Sequence, residues 1–423
     1  MHKDRVRSLL GAALLVTAGA ASAGETKGAR AFELTTQSAE AKALLREVQA
    51  RIENFQFGPP TIAVAKKLVT ADPGFALGVY YLSAVAPAPG NQAHLDEAVK
   101  LAKKASDGER RFIETLAVAR ANNGANFKDG IAPMEKLAAD YPGERVVWVL
   151  LGQMYQNANR AADARHAFER AQAISRSNRM RAFLATDDML AGRYAQARAT
   201  LLGVAKDLPP DATPFAVHYG VAFSHLYEGN VDAALEALHG FVARYKDSGA
   251  AQNFPEVFLW NSIGRINLEH GRHEAALRAY EKGYQSVPGS SLPEDQKKIW
   301  LGRLHHGKCR VLAKMGRHDE AWKEAETVRA MIEGGGEEGK QFLPAYHYLA
   351  GYVLLEKGDA RAAIEHLKQA DPDDPFHHLL LARAYERTGD AAAARKAYEG
   401  VVASSANNLE RALAYPEAKR KLS

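Results

Sequence analysis

The sequence has very little cysteine and no strong excess of residues that break helices. Its 423 residues include one cysteine, Cys309, so an internal disulfide is excluded and the fold cannot depend on cross-links. The 34 glycines and 17 prolines are too few for a collagen-like or linker-dominated chain. We interpret Cys309, which falls at a small-residue position of a predicted helix, as a buried structural thiol.

Charge of one sign is not concentrated anywhere in the chain. The formal net charge is +5, and 25% of residues are charged, but lysines, arginines and acids alternate along predicted helices. Nucleic-acid binding needs a concentrated basic face, so this distribution argues against it. With 47% hydrophobic residues the composition is that of a folded globular protein.

The first residues have the pattern of an export signal. Lys3, Arg5 and Arg7 precede an apolar stretch, and Ala21-Ser22-Ala23 supplies the small residues of a cleavage site. We therefore predict a signal peptide over 1–23, a disordered segment over 24–35, and a mature protein in the periplasm or outside the cell. The alternative is a retained N-terminal anchor; no later segment is long and apolar enough to span a membrane.

Most of the remaining chain repeats one pair of amphipathic helices. The pattern is clearest at Trp148, Leu151, Gly152 and Tyr155, and it returns at Trp260, Ile263, Gly264, Ala276 and Tyr280. Small residues in this pattern let two helices approach closely, and large residues fill the space between successive pairs. A left-handed turn residue is expected between the helices of a pair, and the candidates are Asn159, Gly192, Gly229, Gly271, Gly316, Gly358 and Gly389.

These motifs resemble the tetratricopeptide repeat, over residues 36–405, and the stretch from Ala98 to Tyr155 is similar to exported bacterial proteins of this kind. The resemblance implies an all-α, right-handed α-solenoid of about nine to eleven helix-turn-helix repeats. We predict degenerate repeats over 36–143, regular repeats over 144–405, and a C-terminal capping helix over 406–423.

Three motifs suggest chemistry, and we discount each of them. Gly334-x4-Gly339-Lys340 follows a predicted helix where a phosphate loop needs a strand, and Gln341 stands where Ser or Thr is required. His273-Glu274 lacks the second histidine of a zinc helix. The adjacent histidine pairs point about 100° apart on a helix, so they cannot readily share a metal. We predict no catalytic residue, no metal ligand and no cofactor.

The resemblance also implies an inward-facing surface, formed by the first helix of each repeat. The positions that would face inward carry aromatic residues, arginine, histidine and asparagine, types that are enriched in binding hot spots. We hypothesise that an extended peptide or acidic segment binds there, at Tyr219, Phe223, Asn261, Arg265, His306, Arg310, Tyr348, Tyr352 and Arg383. The alternative is that these side chains only pack against neighbouring helices or face water.

The sequence therefore favours a non-enzymatic scaffold for a protein or peptide partner. An enzyme or small-ligand receptor built on the same solenoid is one alternative, and a self-associating structural protein is another. The partner and the oligomeric state do not follow from the residues, because fold alone specifies neither.

Overall fold

The computed structural model describes residues 29–87, 90–121, 127–244, 256–290 and 292–423, and all its regular elements in these ranges are helices. The predicted signal peptide lies outside the described residues. In chain order the α-helices are α1 (Ala39–Glu53), α2 (Pro59–Ala71), α3 (Ala76–Val85), α4 (Gly90–Ala102), α5 (Asp107–Arg120), α6 (Ile131–Asp140), α7 (Arg145–Asn157), α8 (Ala161–Ile174), α9 (Asn178–Leu190), α10 (Tyr194–Asp207) and α11 (Phe215–Tyr227). They continue as α12 (Val231–Arg244), α13 (Val257–Glu269), α14 (His273–Gln285), α15 (Glu294–Lys314), α16 (His318–Glu333), α17 (Gly336–Lys340), α18 (Leu343–Lys357), α19 (Ala360–Leu367), α20 (Pro375–Thr388), α21 (Ala391–Ala403) and α22 (Leu409–Leu422).

The helices are arranged as consecutive hairpins in two compact units. The described residues up to Val217 form unit 1, and those from His218 onward form unit 2. Helices α1 to α10 pair in sequence in unit 1, and unit 2 contains the pairs α13–α14, α15–α16, α18–α19 and α20–α21. The predicted all-helical repeat fold is confirmed. The boundary predicted at 143–144 lies inside unit 1, and the change in repeat regularity expected there stays a prediction.

The turns between paired helices follow the sequence pattern. All seven predicted turn residues have positive φ, from 60° at Asn159 to 98° at Gly358. A side chain with Cβ is strained in this conformation, and glycine is not. These turns reverse the chain between the two helices of each hairpin and so set the spacing of the repeats.

Close approach within a hairpin depends on a small residue opposite an aromatic ring. A Cβ added to Gly152 of α7 would lie 2.4 Å from the Phe168 ring of α8, and one added to Gly264 of α13 would lie 2.9 Å from the Tyr280 ring of α14. Real Cβ contacts are longer than this, so any side chain here would push the helices apart. The close approach of paired helices predicted at Gly152 and Gly264 is present. We call this packing of a glycine against an aromatic ring the interlock.

Part of the segment predicted to be disordered is packed against unit 1. Phe32 is buried, with its ring centroid 5.1 Å from that of Tyr141 and 5.7 Å from that of Phe112. Thr35 donates its hydroxyl to Glu109 over 2.6 Å, and the Phe32 amide donates to Glu144 over 3.2 Å. Residues 29–35 therefore form an ordered strap, because one aromatic anchor and buried carboxylates hold a segment that has no periodic pattern of its own.

A buried ion pair connects the first helix of unit 1 to later repeats. Arg145 at the start of α7 donates to Glu53 at the end of α1 over 2.6 Å, and both side chains are almost completely buried. The same guanidinium donates to the Ser175 carbonyl over 3.1 Å and to the Ser177 hydroxyl over 2.7 Å. Several hydrogen bonds around one buried pair offset much of its desolvation cost.

Two of the motifs that we discounted lie in helices of the repeat fold. Gly336–Lys340 forms the short helix α17, in which Lys340 pairs with Glu337 of the same turn. His273 begins α14, the second helix of a hairpin. Over the described residues, we find neither a group of three metal-ligating side chains nor a helix long and apolar enough to cross a bilayer.

The interlock predicts opposite effects for two glycines of unit 2. Gly264→Ala forces a methyl group against Tyr280 and should lower the free energy of unfolding by about 1–3 kcal/mol. Gly240→Ala, inside α12 where an added Cβ meets nothing within 4 Å, should raise it by about 0.5–1 kcal/mol through helix propensity. Urea unfolding of both variants tests this; equal effects would contradict the interlock.

The strap predicts a dependence of stability on pH. Burial raises the pKa of Glu144 to about 7, although backbone hydrogen bonds from Phe32 and Val146 oppose the shift. Between pH 4.5 and 7 the folded state then holds a proton that the unfolded state has lost, so stability should fall as pH rises, by about 1.4 kcal/mol per pH unit at most. Glu144→Gln should remove this part of the decline in urea unfolding between pH 5 and 8. An identical pH profile for both proteins would contradict the assignment.

Candidate binding surfaces

The nine residues predicted to line a groove all lie in unit 2, on the first helices of their hairpins. Asn261, His306 and Arg383 are half-buried. The other six are buried: Tyr219, Phe223, Arg265, Arg310, Tyr348 and Tyr352. The expectation that these side chains are free to meet a partner needs correction, because most of them contact one another. Whether any of them touches a partner stays a hypothesis.

Arg310 of α15 is held by neutral acceptors. It is 6% exposed, and its guanidinium donates to the Tyr280 hydroxyl over 3.3 Å, to the Tyr348 hydroxyl over 3.5 Å, and to the His306 carbonyl over 3.3 Å. No described carboxylate lies within ion-pair distance of it. A buried cation with only dipolar partners keeps a large part of its desolvation penalty.

Arg265 of α13 has a counter-ion. It is 4% exposed, and its Nη1 lies 3.1 Å from the carboxylate of Glu269, one turn along the same helix. Its guanidinium also covers the ring of Phe376 from α20, at 4.2 Å from the ring centroid. Tyr352 of α18 donates its hydroxyl to Glu269 over 3.2 Å. These contacts join α13 to α18 and α20, which lie two and three hairpins further along the chain.

Tyr348 of α18 is at the centre of an aromatic stack. Its ring lies 5.2 Å from that of His306, nearly parallel, and 4.4 Å from that of His377. Burial is the main reason that the pKa of His306 is far below its usual value, and the nearby Arg310, Arg265 and Arg303 lower it further. His306 is therefore neutral, and it contributes no charge to the stack.

The C-terminal helix α22 reaches across the inner side of unit 2. Besides packing on α20 and α21 it contacts α13. Arg411 of α22 donates to the Tyr227 hydroxyl of α11 over 2.8 Å, and Arg383 of α20 makes two hydrogen bonds to Glu417, of 2.9 and 2.6 Å. The helix was predicted as a cap on the last repeat, and it also covers residues that the groove hypothesis needs to be open.

Several residues of this network were missed by the sequence reasoning. Glu269 could have been found, because it stands four residues after Arg265 on a helix, the spacing of an ion pair. Phe376 and Arg411 had no such signal. Their contacts are made across hairpins that are distant in sequence, and the local period does not encode that distance.

A second surface of unit 2, formed mainly by the second helices α12 and α14 of two hairpins, is open to solvent. A groove of about 590 Å³ lies between α12 and α14, with α13 as its floor. Trp260 lies in the floor; its Nε1 donates to Glu256 over 2.6 Å, and Lys282 of α14 covers its ring at 4.1 Å. Two exposed basic side chains, Arg278 and Lys282, line the α14 side. We call this feature the outer groove.

The opposite wall of the outer groove is acidic at one end. Asp232 and Glu236 of α12 are exposed, and Asp232 pairs with Arg272 over 2.6 Å. At the other end His239 meets the Trp260 ring edge-on, at 5.6 Å between centroids. Arg278 and Lys282 make no ion pair with any described residue, so this end presents positive charge beside an aromatic floor.

The fold and these surfaces define a helical-repeat scaffold, and comparison with known proteins identifies the repeat. Residues 222–291 and 354–414 match two models of the tetratricopeptide repeat. These two segments of the chain are therefore tetratricopeptide repeats. Such repeats generally mediate protein binding, and neither matching model describes a catalytic family. A comparison of the sequence with curated proteins finds no match.

Several solved structures align with this chain at low identity. The APC/C hetero-tetramer Cut9–Hcn1 aligns with a TM-score of 0.42 and 15% identity over 86% of this chain, which spans 57% of that chain. PilW, a type IV pilus biogenesis factor, gives 0.41 and 16% over 55% of this chain and 98% of its own. The human IFIT1 dimer with PPP-AAAA gives 0.46 and 15%, over 87% and 95%. All three TM-scores lie below 0.5, and nothing about a partner follows from them.

We expect substitution of the two buried arginines to lower the free energy of unfolding by different amounts. Arg265→Met leaves Glu269 buried without its counter-ion and should lower the free energy of unfolding by about 3–5 kcal/mol. Arg310→Met removes a cation that has no counter-ion, so the loss should be only about 1–2 kcal/mol, from its hydrogen bonds. Urea unfolding followed by tryptophan fluorescence measures both. Adding Glu269→Gln to Arg265→Met should recover part of the loss; no recovery would show that Glu269 is not the cause.

Proposed function

We propose that this protein is a non-enzymatic scaffold that acts in the periplasm or outside the cell and binds an acidic peptide segment of a protein partner in the outer groove. The observation that carries the proposal is the contrast between the two faces of unit 2. Most of the nine inner side chains predicted to meet a peptide contact one another or α22, whereas the outer groove has an aromatic floor and unpaired basic side chains.

The dimensions and chemistry of the outer groove suit such a segment. A volume of about 590 Å³ is in the range of sites that take a few residues or a small ligand. Arg278 and Lys282 would attract an acidic side chain, and the apolar lining of the groove beside Trp260 would take an apolar one. Export rests on the basic residues, apolar stretch and Ala21-Ser22-Ala23 site of the predicted signal peptide.

Affinity capture with charge-reversed variants tests the outer groove. The protein without residues 1–23 serves as bait in envelope and culture-supernatant extracts, beside Arg278→Glu/Lys282→Glu. Reversing both charges should reduce recovery of the partner at least tenfold, because an acidic segment would then be repelled.

Arg361→Glu/Lys368→Glu is the matched control, since both residues are exposed on or beside α19, away from the outer groove. Equal recovery by wild type and the groove variant would place the interface elsewhere. Recovery of the untagged protein only from the cytoplasmic fraction would contradict export. A size that grows with concentration, with no partner captured, would favour the self-associating alternative.

A further inference from the structure

We propose that the centre of unit 2 holds a separate site for an oxyanion, the carboxylate or phosphate group of a small ligand, bound by Arg303 and Arg310. This site lies on the inner side of the unit and is independent of the peptide segment proposed for the outer groove. Its three arginines are Arg265, Arg303 and Arg310, here called the arginine cluster.

The arginine cluster has more positive charge than its surroundings neutralise. Arg265 is paired with Glu269, but Arg310 donates hydrogen bonds only to hydroxyl and carbonyl oxygens. Arg303 makes no ion pair or hydrogen bond with any described residue, and its guanidinium lies 5.1 Å from the ring centroid of Trp300. One buried guanidinium, that of Arg310, and one half-buried guanidinium, that of Arg303, thus lie here without an ion-paired carboxylate, which is costly unless an anion completes the site.

Geometry places the two unpaired arginines together. Arg303, His306 and Arg310 stand at positions i, i+3 and i+7 of α15, so they share one helix face. The charges of Arg303 and Arg310 each lower the pKa of His306, which places both near its ring. His306 is half-buried, so this face of α15 keeps contact with solvent.

Unused hydrogen-bond donors surround the same region. The indole Nε1 of Trp300 is buried and has no acceptor among the described residues, and the same holds for Nε of Arg265. Trp300 is one turn before Arg303 on α15. These two donors can be satisfied by an oxyanion, because it offers several lone pairs and no hydrogen; the buried Oε1 of Gln296, one turn before Trp300, is an acceptor that an oxyanion would not satisfy.

The chain itself brings one carboxylate near the cluster without pairing it. Burial is the main cause of the raised pKa of Glu410 on α22, and Asp374 raises it further, while Arg265 and Arg303 act in the opposite direction. Glu410 is half-buried and lies beyond ion-pair distance from every described arginine. When it is ionised, its carboxylate competes with a ligand for the positive potential of the arginine cluster without occupying the site.

The test uses the full chain with inorganic phosphate and, separately, succinate, each compared with chloride at equal ionic strength. Binding is read from the thermal unfolding midpoint and by titration calorimetry. In wild type one or both anions should raise the midpoint. Arg303→Gln should weaken binding at least tenfold, whereas Glu410→Gln should tighten it severalfold by removing the competing charge.

Arg361→Gln, an exposed arginine of α19, is the control for general loss of positive charge. Phosphate binding without succinate binding assigns a phosphate ligand, and the reverse assigns a carboxylate. Circular dichroism checks that Arg303→Gln is folded, as expected for a side chain without hydrogen bonds. No binding by either wild type or Glu410→Gln would overturn the proposal, and so would equal binding by wild type and Arg303→Gln. Neither result bears on capture of a partner by the outer groove.

Discussion

The packing of two glycines against the ring of Tyr280 is the interaction on which the architecture of unit 2 depends most. A Cβ on either Gly264 of α13 or Gly307 of α15 would lie within 3.0 Å of it, so both helices approach its two sides as closely as glycine allows. Its hydroxyl then accepts a hydrogen bond from Arg310. One side chain therefore sets the spacing of three helices and positions a buried cation. The interlock of small and large residues is not only a packing device, since it also fixes where the inner polar groups meet.

When the helices pack this closely, the inner polar side chains can reach few hydrogen-bond partners other than one another. Hydroxyls, rings and guanidiniums from successive first helices must satisfy one another because water is mostly excluded. In unit 2 this gives the network around Tyr348, and in unit 1 it gives the buried pair of Arg145 and Glu53. In both units an arginine on a first helix joins parts of the chain that are far apart in sequence. The arginines that looked like a binding surface are therefore first a part of each unit's stability.

The local features of the fold could be predicted from the sequence, and the long-range ones could not. Gly152, Gly264 and the seven turn residues follow from a pattern that repeats within a hairpin, so one hairpin is enough to assign them. The burial of Arg265 by Phe376 depends on the distance between helices three hairpins apart. That distance is the sum of small rotations from each repeat, and a consensus motif does not contain them. The ordered strap at Phe32 was not predicted for a related reason, because a single aromatic residue has no periodic pattern that the sequence could show.

Within the arginine cluster, residues kept for stability differ from residues that suit a ligand. A buried arginine kept for stability alone should have the partners that lower its energy, as Arg265 has in Glu269 and Phe376. Arg303 and Arg310 lack a counter-ion, although two glutamates lie close enough to act on the charges of the cluster. Since an isoleucine or methionine in their place would avoid the desolvation penalty, stability does not explain why the cations are there. An arginine that lacks a counter-ion in a mostly buried region is a stronger sign of a ligand than the residue types of an inner face, because every helical repeat has some polar residues there.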